Sequence, residues 1–311
     1  MTDGEAPSIV PTRWVHAHGV LDLRHPRVMA IVNVTPDSFY DGGRLHDGAE
    51  PRAAAALAHA RRCVRHGAHL LDVGGESTRP GAQPVEPGHE QARVVPVVER
   101  LAAEPELAGV PVSVDTRRAS VAAAALDAGA SIVNDVSGLA DPAMAPLVAE
   151  RGAGLVIGHL RGEPRTMQRQ VHFAHVLTEV TDELSARVEL ALAAGVERSR
   201  IVVDPGIGFG KTAEQSAALV AAAGWLRQAT GCPVLIGASR KSFLGALTDA
   251  RDASGRLAGS LAAALVAVER GASVLRVHDV GDTVQALTVA SSIRRAFDAL
   301  AEGAPPREAM H

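Results

Sequence analysis

Residues 51–74 read PRAAAALAHARRCVRHGAHLLDVG. Over Pro51–His66 the apolar residues recur at a spacing near 3.6, which predicts a helix with one buried face. Gly67 follows where a helix C-cap favours a left-handed backbone. His69–Gly74 is short and almost continuously apolar, the pattern of a parallel strand covered on both faces. The stretch is therefore one helix, one Gly-Ala turn and one buried strand. The same unit recurs in both directions along the chain. Apolar runs stand at Val28–Asn33, Val110–Asp115, Ser131–Asn134, Gly154–His159, Ile201–Asp204, Val234–Gly237 and Val274–His278. Helical stretches at Glu179–Ala194 and Leu257–Arg270 end at Gly195 and Gly271, and Gly-Ala pairs recur at 129–130, 152–153 and 271–272. Eight strand–helix units suit closure into a (β/α)8 TIM barrel, and right-handed crossovers leave little other topological choice. An open doubly wound sheet is the alternative architecture. The expected layout is an N-terminal arm or edge hairpin over 1–26, a single barrel domain over 27–301, and a flexible Ala/Glu/Pro-rich tail over 302–311.

The chain has 311 residues, 47% of them hydrophobic, enough for a large core. A net charge of -4 and a pI of 6.4 give no concentrated positive field, so nucleic acid and acidic membranes are not expected partners. A small anionic substrate needs only a local basic pocket. No run of about 18 apolar residues suggests a transmembrane helix, and residues 1–26 carry no signal-peptide core. Cys63 and Cys232 lie far apart without metal-ligand spacing, which fits buried thiols in a reducing cytoplasm.

The polar residues fall where barrel enzymes do chemistry. Asn33, Asp72, Asp115, Asn134, His159, Asp204, Arg276 and His278 stand at or near the C-terminal ends of apolar runs, and Ser239-Arg240-Lys241-Ser242 follows the seventh. At one strand this is no more than a helix cap. At eight it predicts a single polar mouth. Asp115, Asn134 and Asp204, with Lys241 nearby, suit a flat heterocycle carrying several N–H donors. Asn33, Arg276 and His278, with the loop Ser77-Thr78-Arg79, form a donor-rich cluster suited to phosphate oxygens. Together they imply a phosphorylated heterocycle as substrate. Asp72 reads as a structural cap or loop salt bridge, and His159 as a brace of the mouth. The glycine-dense loops at Asp41-Gly42-Gly43 and Gly74-Gly75 are expected to close over a ligand. Gly206–Thr212 has the look of a P-loop, but Gly206 leaves three residues before Gly210-Lys211 where that motif needs four.

Seven stretches, in order from about residue 27 to 300, resemble the dihydropteroate synthase family of the folate pathway, the target of sulfonamides. They are Met29–Phe39, Asp72–Gly81, Ser113–Thr116, Asn134–Asp135, Asp204–Lys211, Ser239–Ser242 and Arg276–Asp279. The resemblance implies a (β/α)8 barrel that condenses 6-hydroxymethyl-7,8-dihydropterin diphosphate with p-aminobenzoate, giving 7,8-dihydropteroate and diphosphate. It assigns Asp115, Asn134, Asp204 and Lys241 to the pterin, and Asn33 to a Mg2+ ion on the diphosphate. Arg276, His278, Thr78 and Arg79 fall to the leaving group. Asp37, Phe39, Thr78, Pro80, Phe209 and Ser242 would shape the p-aminobenzoate site. No enzyme nucleophile is required, because the pterin ring supports positive charge as diphosphate leaves. A homodimer is the family habit.

Two positions depart from the family pattern. Gly158 stands where a Met is common and is expected to thin one wall of the pterin pocket. Tyr40 stands where a small Ser is common, within the first loop. A methyltetrahydrofolate-type methyltransferase would share the barrel and the pterin acids but would not need the Glu76–Gly81 loop or the Arg276–His278 pair. A non-catalytic paralogue should have lost loop residues or Lys241, and this chain retains them.

Overall fold

A computed structural model describes residues 10–35, 49–77, 81–163, 165–168, 171–249 and 252–302. Its main sheet has eight strands: β3 (Arg27–Asn33), β4 (Leu70–Gly74), β5 (Val112–Asp115), β6 (Ile132–Asp135), β7 (Gly154–Gly158), β8 (Ile201–Asp204), β9 (Leu235–Ile236) and β10 (Val274–Val277). All ladder pairs are parallel, in the order β8-β7-β6-β5-β4-β3-β10-β9. A parallel bridge between Val203 and Val234 joins β8 to β9 and closes the ring, so the sheet is a barrel and not an open doubly wound sheet. Among the described residues the helices are α1 (Ala49–Arg65), α2 (Pro87–Ala102), α3 (Ala119–Asp127), α4 (Met144–Arg151), α5 (Val176–Ala193), α6 (Ala213–Ala221), α7 (Ala223–Thr230), α8 (Ser242–Thr248), α9 (Leu257–Glu269) and α10 (Val280–Glu302). Among the described residues no helix is long and apolar enough to cross a membrane.

The two-residue period of a strand sorts the interior into layers. Met29, Leu70, Ile132, Val156, Val202, Leu235 and Val274 point inward and form one apolar cluster at the N-terminal end of the barrel. The alternate residues, such as Ala30, Leu71, Val133, Leu155, Val203 and Leu275, join the larger core beneath the helices. Two positions further along the strands, the inward residues include Asp72, Asn134, Asp204 and Arg276, together with Ile31 and the glycines Gly158 and Gly237. The barrel is therefore dry at its base and polar at its top.

The expected arm is a hairpin, though not at a sheet edge, since the closed ring has none. It is β1 (Arg13–His16) paired antiparallel with β2 (Gly19–Asp22). It stoppers the base of the barrel. Trp14 is fully buried within the inward apolar cluster, and its Nε1 donates to the Arg200 carbonyl at 2.8 Å. Gly154 makes room for it, because a Cβ there would lie 3.1 Å from that nitrogen. The strand expected at Val234–Gly237 shrinks to two residues. The backbone turns away at Ala238, whose carbonyl accepts from Lys241 N–H, and Arg240 takes a positive φ of 58°.

Candidate active site

The floor of the mouth is an ion-pair network that spans the barrel. Asp72, on β4, is completely buried. Its Oδ2 accepts from Arg276 Nε at 2.6 Å and from Asn134 Nδ2 at 3.0 Å. Arg276 Nη2 donates to Asp115 Oδ2, also at 2.6 Å. One guanidinium thus serves two carboxyl groups. Burial pushes the Asp115 carboxyl up to about 7, against the pull of Arg276 and with help from Asp72. Burial opposes the charge on Arg276 as well, but the two acids outweigh it and keep the guanidinium charged.

This geometry changes two expectations. Asp72 is neither a cap nor a loop salt bridge. It is an interior residue of the mouth, because inward Leu70 two positions earlier puts it on the same side of the strand. Arg276 does not stand apart in a donor cluster. It lies across the acceptor cluster, because in the barrel β10 sits next to β3 and one strand from β4, and an Arg side chain covers that span.

Asp204 closes another side. Its Oδ1 accepts the Gly206 backbone N–H at 2.8 Å, and burial raises its pKa, opposed by the charge of Lys241. Lys241 is the N-cap residue of α8. Its Nζ donates to the Ile207 carbonyl and sits 3.9 Å above the centre of the Phe209 ring. Burial lowers its pKa to about 8, with Asp204 acting the other way. The next residue, Ser242, is exposed at the first turn of α8. His278 follows β10. Ser239 Oγ accepts the His278 backbone N–H at 3.2 Å and lies 3.1 Å from Nδ1, which fixes the ring. Asn33 ends β3, in register with Gly74. Asp37, Phe39, Thr78, Arg79 and Pro80, together with Tyr40, lie outside the described residues.

The base of the second loop is anchored by Glu76. Its carboxylate accepts from Val85 N–H at 2.9 Å, from Arg117 Nε at 3.1 Å and from both terminal nitrogens of Arg118 at 3.0 Å. One acid therefore ties both ends of the loop to the start of α3.

Gly158 is not a thinned wall. A Cβ there would lie 2.7 Å from Val136 Cα and 2.9 Å from the carbonyl oxygens of Asp135 and Val136. The backbone leaving β6 fills the space, and any side chain at 158 would push it aside. The Gly206–Thr212 segment follows β8 as a connecting loop. Thr212 caps α6 in a reciprocal capping box with Gln215, and Lys211 turns inward to His159. His159 braces the mouth as expected, with Glu183 of α5 on its other nitrogen at 3.0 Å. The structure adds Asp72 and Lys211 to the residues of the mouth. For Asp72 the available signal was its spacing of two from Leu70; for Lys211 no local signal points to His159.

The mouth is an acceptor-lined floor flanked by two half-buried cations, Arg276 and Lys241. That can hold a planar ring by its N–H groups and an anion beside it. Among the described residues no group of three or more His, Cys, Asp or Glu could hold a metal ion.

Residues 29–278 match the family described as pterin binding enzyme. The chain is 44% identical over 276 residues to dihydropteroate synthase of Neisseria meningitidis serogroup C, covering 88% of this chain and 95% of that one. Among solved structures it is similar to Xanthomonas albilineans dihydropteroate synthase with 4-aminobenzoic acid. That likeness has a TM-score of 0.83 and 44% identity, with 91% of this chain and 98% of that one covered. It is also similar to Yersinia pestis dihydropteroate synthase in a sulfonamide drug complex. There the TM-score is 0.82 and the identity 38%, over 91% and 99% of the two chains.

Proposed function

This chain belongs to the dihydropteroate synthases, the folate-pathway transferases that join 6-hydroxymethyl-7,8-dihydropterin diphosphate to p-aminobenzoate, and from that premise we propose how its residues divide the reaction. Asp115, Asn134 and Asp204 accept hydrogen bonds from the pterin, and Lys241 borders the ring. Asp72 holds the Asn134 nitrogen, which leaves the Asn134 carbonyl oxygen to the ligand. Arg276, His278, Thr78 and Arg79 take the diphosphate. As the pterin occupies Asp115, Arg276 keeps Asp72 through Nε and turns Nη2 to the leaving group. Phe209, Ser242, Asp37, Phe39, Thr78 and Pro80 bound the p-aminobenzoate.

The catalytic effect is electrostatic. Arg276 and His278 stabilise the charge that develops on the departing diphosphate, and the carboxylates stabilise the complementary positive charge on the pterin. The aryl amine then attacks the pterin methylene, with no covalent enzyme intermediate. The observation that carries this scheme is the buried floor in which Arg276 meets Asp72 and Asp115.

Asn33 is the residue we assign to Mg2+. Gly74 lacks a side chain where a Cβ would sit 3.6 Å from Asn33 Oδ1, so that amide oxygen borders a small cradle, while Asp115 Oδ2, 3.7 Å from the same point, is held by Arg276. One or two protein oxygens, completed by phosphate and water, are the donor set Mg2+ favours. When bound, the ion neutralises diphosphate charge and improves it as a leaving group.

A homodimer fits the exposed apolar stripe on α10. Val289, Ile293, Phe297 and Leu300 are all exposed at helical spacing, a patch that favours a partner surface. Sedimentation of wild type and Phe297→Glu tests it, since an unchanged dimer in the variant removes that stripe from the interface. The free, buried thiols Cys63 and Cys232 support a cytoplasmic setting. The decisive assay mixes purified protein with pterin diphosphate, p-aminobenzoate and Mg2+ and follows diphosphate release. It should be inhibited by a sulfonamide. Folded protein that releases no diphosphate overturns the scheme.

A further inference from the structure

Lys211 is a buried cation for which the scheme above has no use. It is 4% exposed, yet it carries an ammonium group. Its Nζ lies 3.0 Å from His159 Nδ1 and 3.0 Å from the Phe209 carbonyl oxygen. His159 follows β7, and its Nε2 stands 3.0 Å from Glu183 Oε2 on α5. The direction of this chain follows from what each atom can do. A carboxylate only accepts, so His159 Nε2 carries the proton and Nδ1 is left as an acceptor for Lys211. Burial and the Lys211 charge hold the His159 pKa down at about 4, which keeps the ring neutral. Arg161 Nε fixes Glu183 in turn at 3.0 Å. Burial lowers Lys211 itself to about 7, while Asp204 favours its charge and Lys241 opposes it. The groups facing Lys211 are thus His159 and Arg161 beyond β7, Glu183 on α5, Asp204 on β8 and Lys241 at α8.

The backbone follows the same path. A Cβ on Gly206 would overlap the His159 carbonyl oxygen, so the ends of β7 and β8 meet directly. Gly206, Gly208 and Gly210 all have positive φ, at 67°, 76° and 59°. A loop of this kind has high conformational freedom and depends on external ties to hold one shape. Phe209 sits at its centre. Its N–H donates to Gly206, its carbonyl accepts from Lys211, and its ring lies under Lys241.

We propose that Lys211 is a positioning residue for the p-aminobenzoate half of the site. Its ammonium ties the Phe209 carbonyl to His159 and thereby holds the Phe209 ring against Lys241. The proposal rests on the assignment of Phe209 to the aryl amine, and Phe209→Ala tests that assignment separately. Steady-state kinetics of Lys211→Met, Lys211→Arg and His159→Leu test the tie itself. Lys211→Met is expected to raise KM for p-aminobenzoate about tenfold and to leave KM for pterin diphosphate within about threefold. Lys211→Arg, which keeps the charge and donors, should recover most of that loss. The double variant Lys211→Met/His159→Leu should be no worse than about twofold beyond the poorer single variant, since both cut one tie. If Phe209→Ala raises KM for p-aminobenzoate while Lys211→Met leaves both KM values unchanged, or moves both equally, the proposal is overturned. If Phe209→Ala has no effect, the aryl-amine assignment fails instead, and the proposal with it. Should Lys211→Met not fold, Glu183→Ala leaves the buried pair in place and frees the His159 tautomer. A selective rise in KM for p-aminobenzoate supports the tie, and unchanged kinetics overturn it.

Discussion

Asp72→Asn removes one charge from the floor of the mouth and almost no volume. In the wild type Asp72 Oδ2 takes Arg276 Nε at 2.6 Å and Asn134 Nδ2 at 3.0 Å, in full burial. Leaving a buried charge wholly without its partner costs about 3–5 kcal/mol. Here Arg276 keeps Asp115 at 2.6 Å, so the loss is less than that. A hydrogen bond to a charged group contributes about 1.5–3 kcal/mol, and a neutral amide oxygen restores part of it. The new amide also presents an N–H, and pairing it is difficult beside the Asn134 nitrogen. A net loss of about 2–3 kcal/mol in transition-state stabilisation follows, which is about 30- to 150-fold in kcat/KM. The assay is diphosphate release with pterin diphosphate varied at saturating p-aminobenzoate. Circular dichroism and thermal unfolding establish that the variant is folded. KM for p-aminobenzoate should stay within about twofold, because Asp72 touches neither Phe209 nor Lys241. A folded Asp72→Asn enzyme with kcat/KM within about threefold of wild type would refute the idea that Asp72 aims Arg276 and Asn134.

Arg276→Ala is expected to weaken pterin diphosphate at least about 100-fold and free 6-hydroxymethylpterin by less than about tenfold, by calorimetric titration; equal losses would deny a separate diphosphate role. Asp115 gives a pH signature. Its carboxyl holds a proton in the folded enzyme up to about 7 but releases it near 3.8 when unfolded. The folded state then binds the extra proton, so this group's contribution to stability falls as pH rises across that window and is level above it. A pterin N–H needs the carboxylate, so affinity for 6-hydroxymethylpterin should rise between about pH 6 and 8, and an Asp115→Asn enzyme with the same slope contradicts the assignment. Trp14→Ala removes the stopper of the barrel base and should cost about 3–5 kcal/mol in urea unfolding. A loss under about 1 kcal/mol would mean that the hairpin does not help hold the barrel together.

Leu70, Leu71 and Val73 announced a buried strand, and Gly67 announced the turn before it, because both signals are carried by neighbours in sequence. Asn33, Asp115, Asn134, Asp204 and Arg276 were legible as a mouth for the same reason, since a strand end is a local property and a barrel gathers strand ends. The P-loop likeness of Gly206–Lys211 could be dismissed by spacing alone, but spacing said nothing of the ammonium that points to His159. Gly158 misled, because a glycine's lack of a side chain reads as open space until the neighbouring backbone is known.

The sequence by itself determined the periods of two and 3.6 and the turns between them. From these follow the (β/α)8 architecture and the inward polar layer, while the seven ordered motifs carry the family resemblance. Tertiary structure alone decided the partners within that layer. Arg276 and Asp72 are 204 residues apart, and Lys211 and His159 are 52 apart. Whether such groups meet depends on barrel radius, strand register and the reach of each side chain, none of which is written in a local pattern. The hairpin's position at the base was decided in the same way, by a Trp-sized space above Gly154 that exists only once the ring has closed.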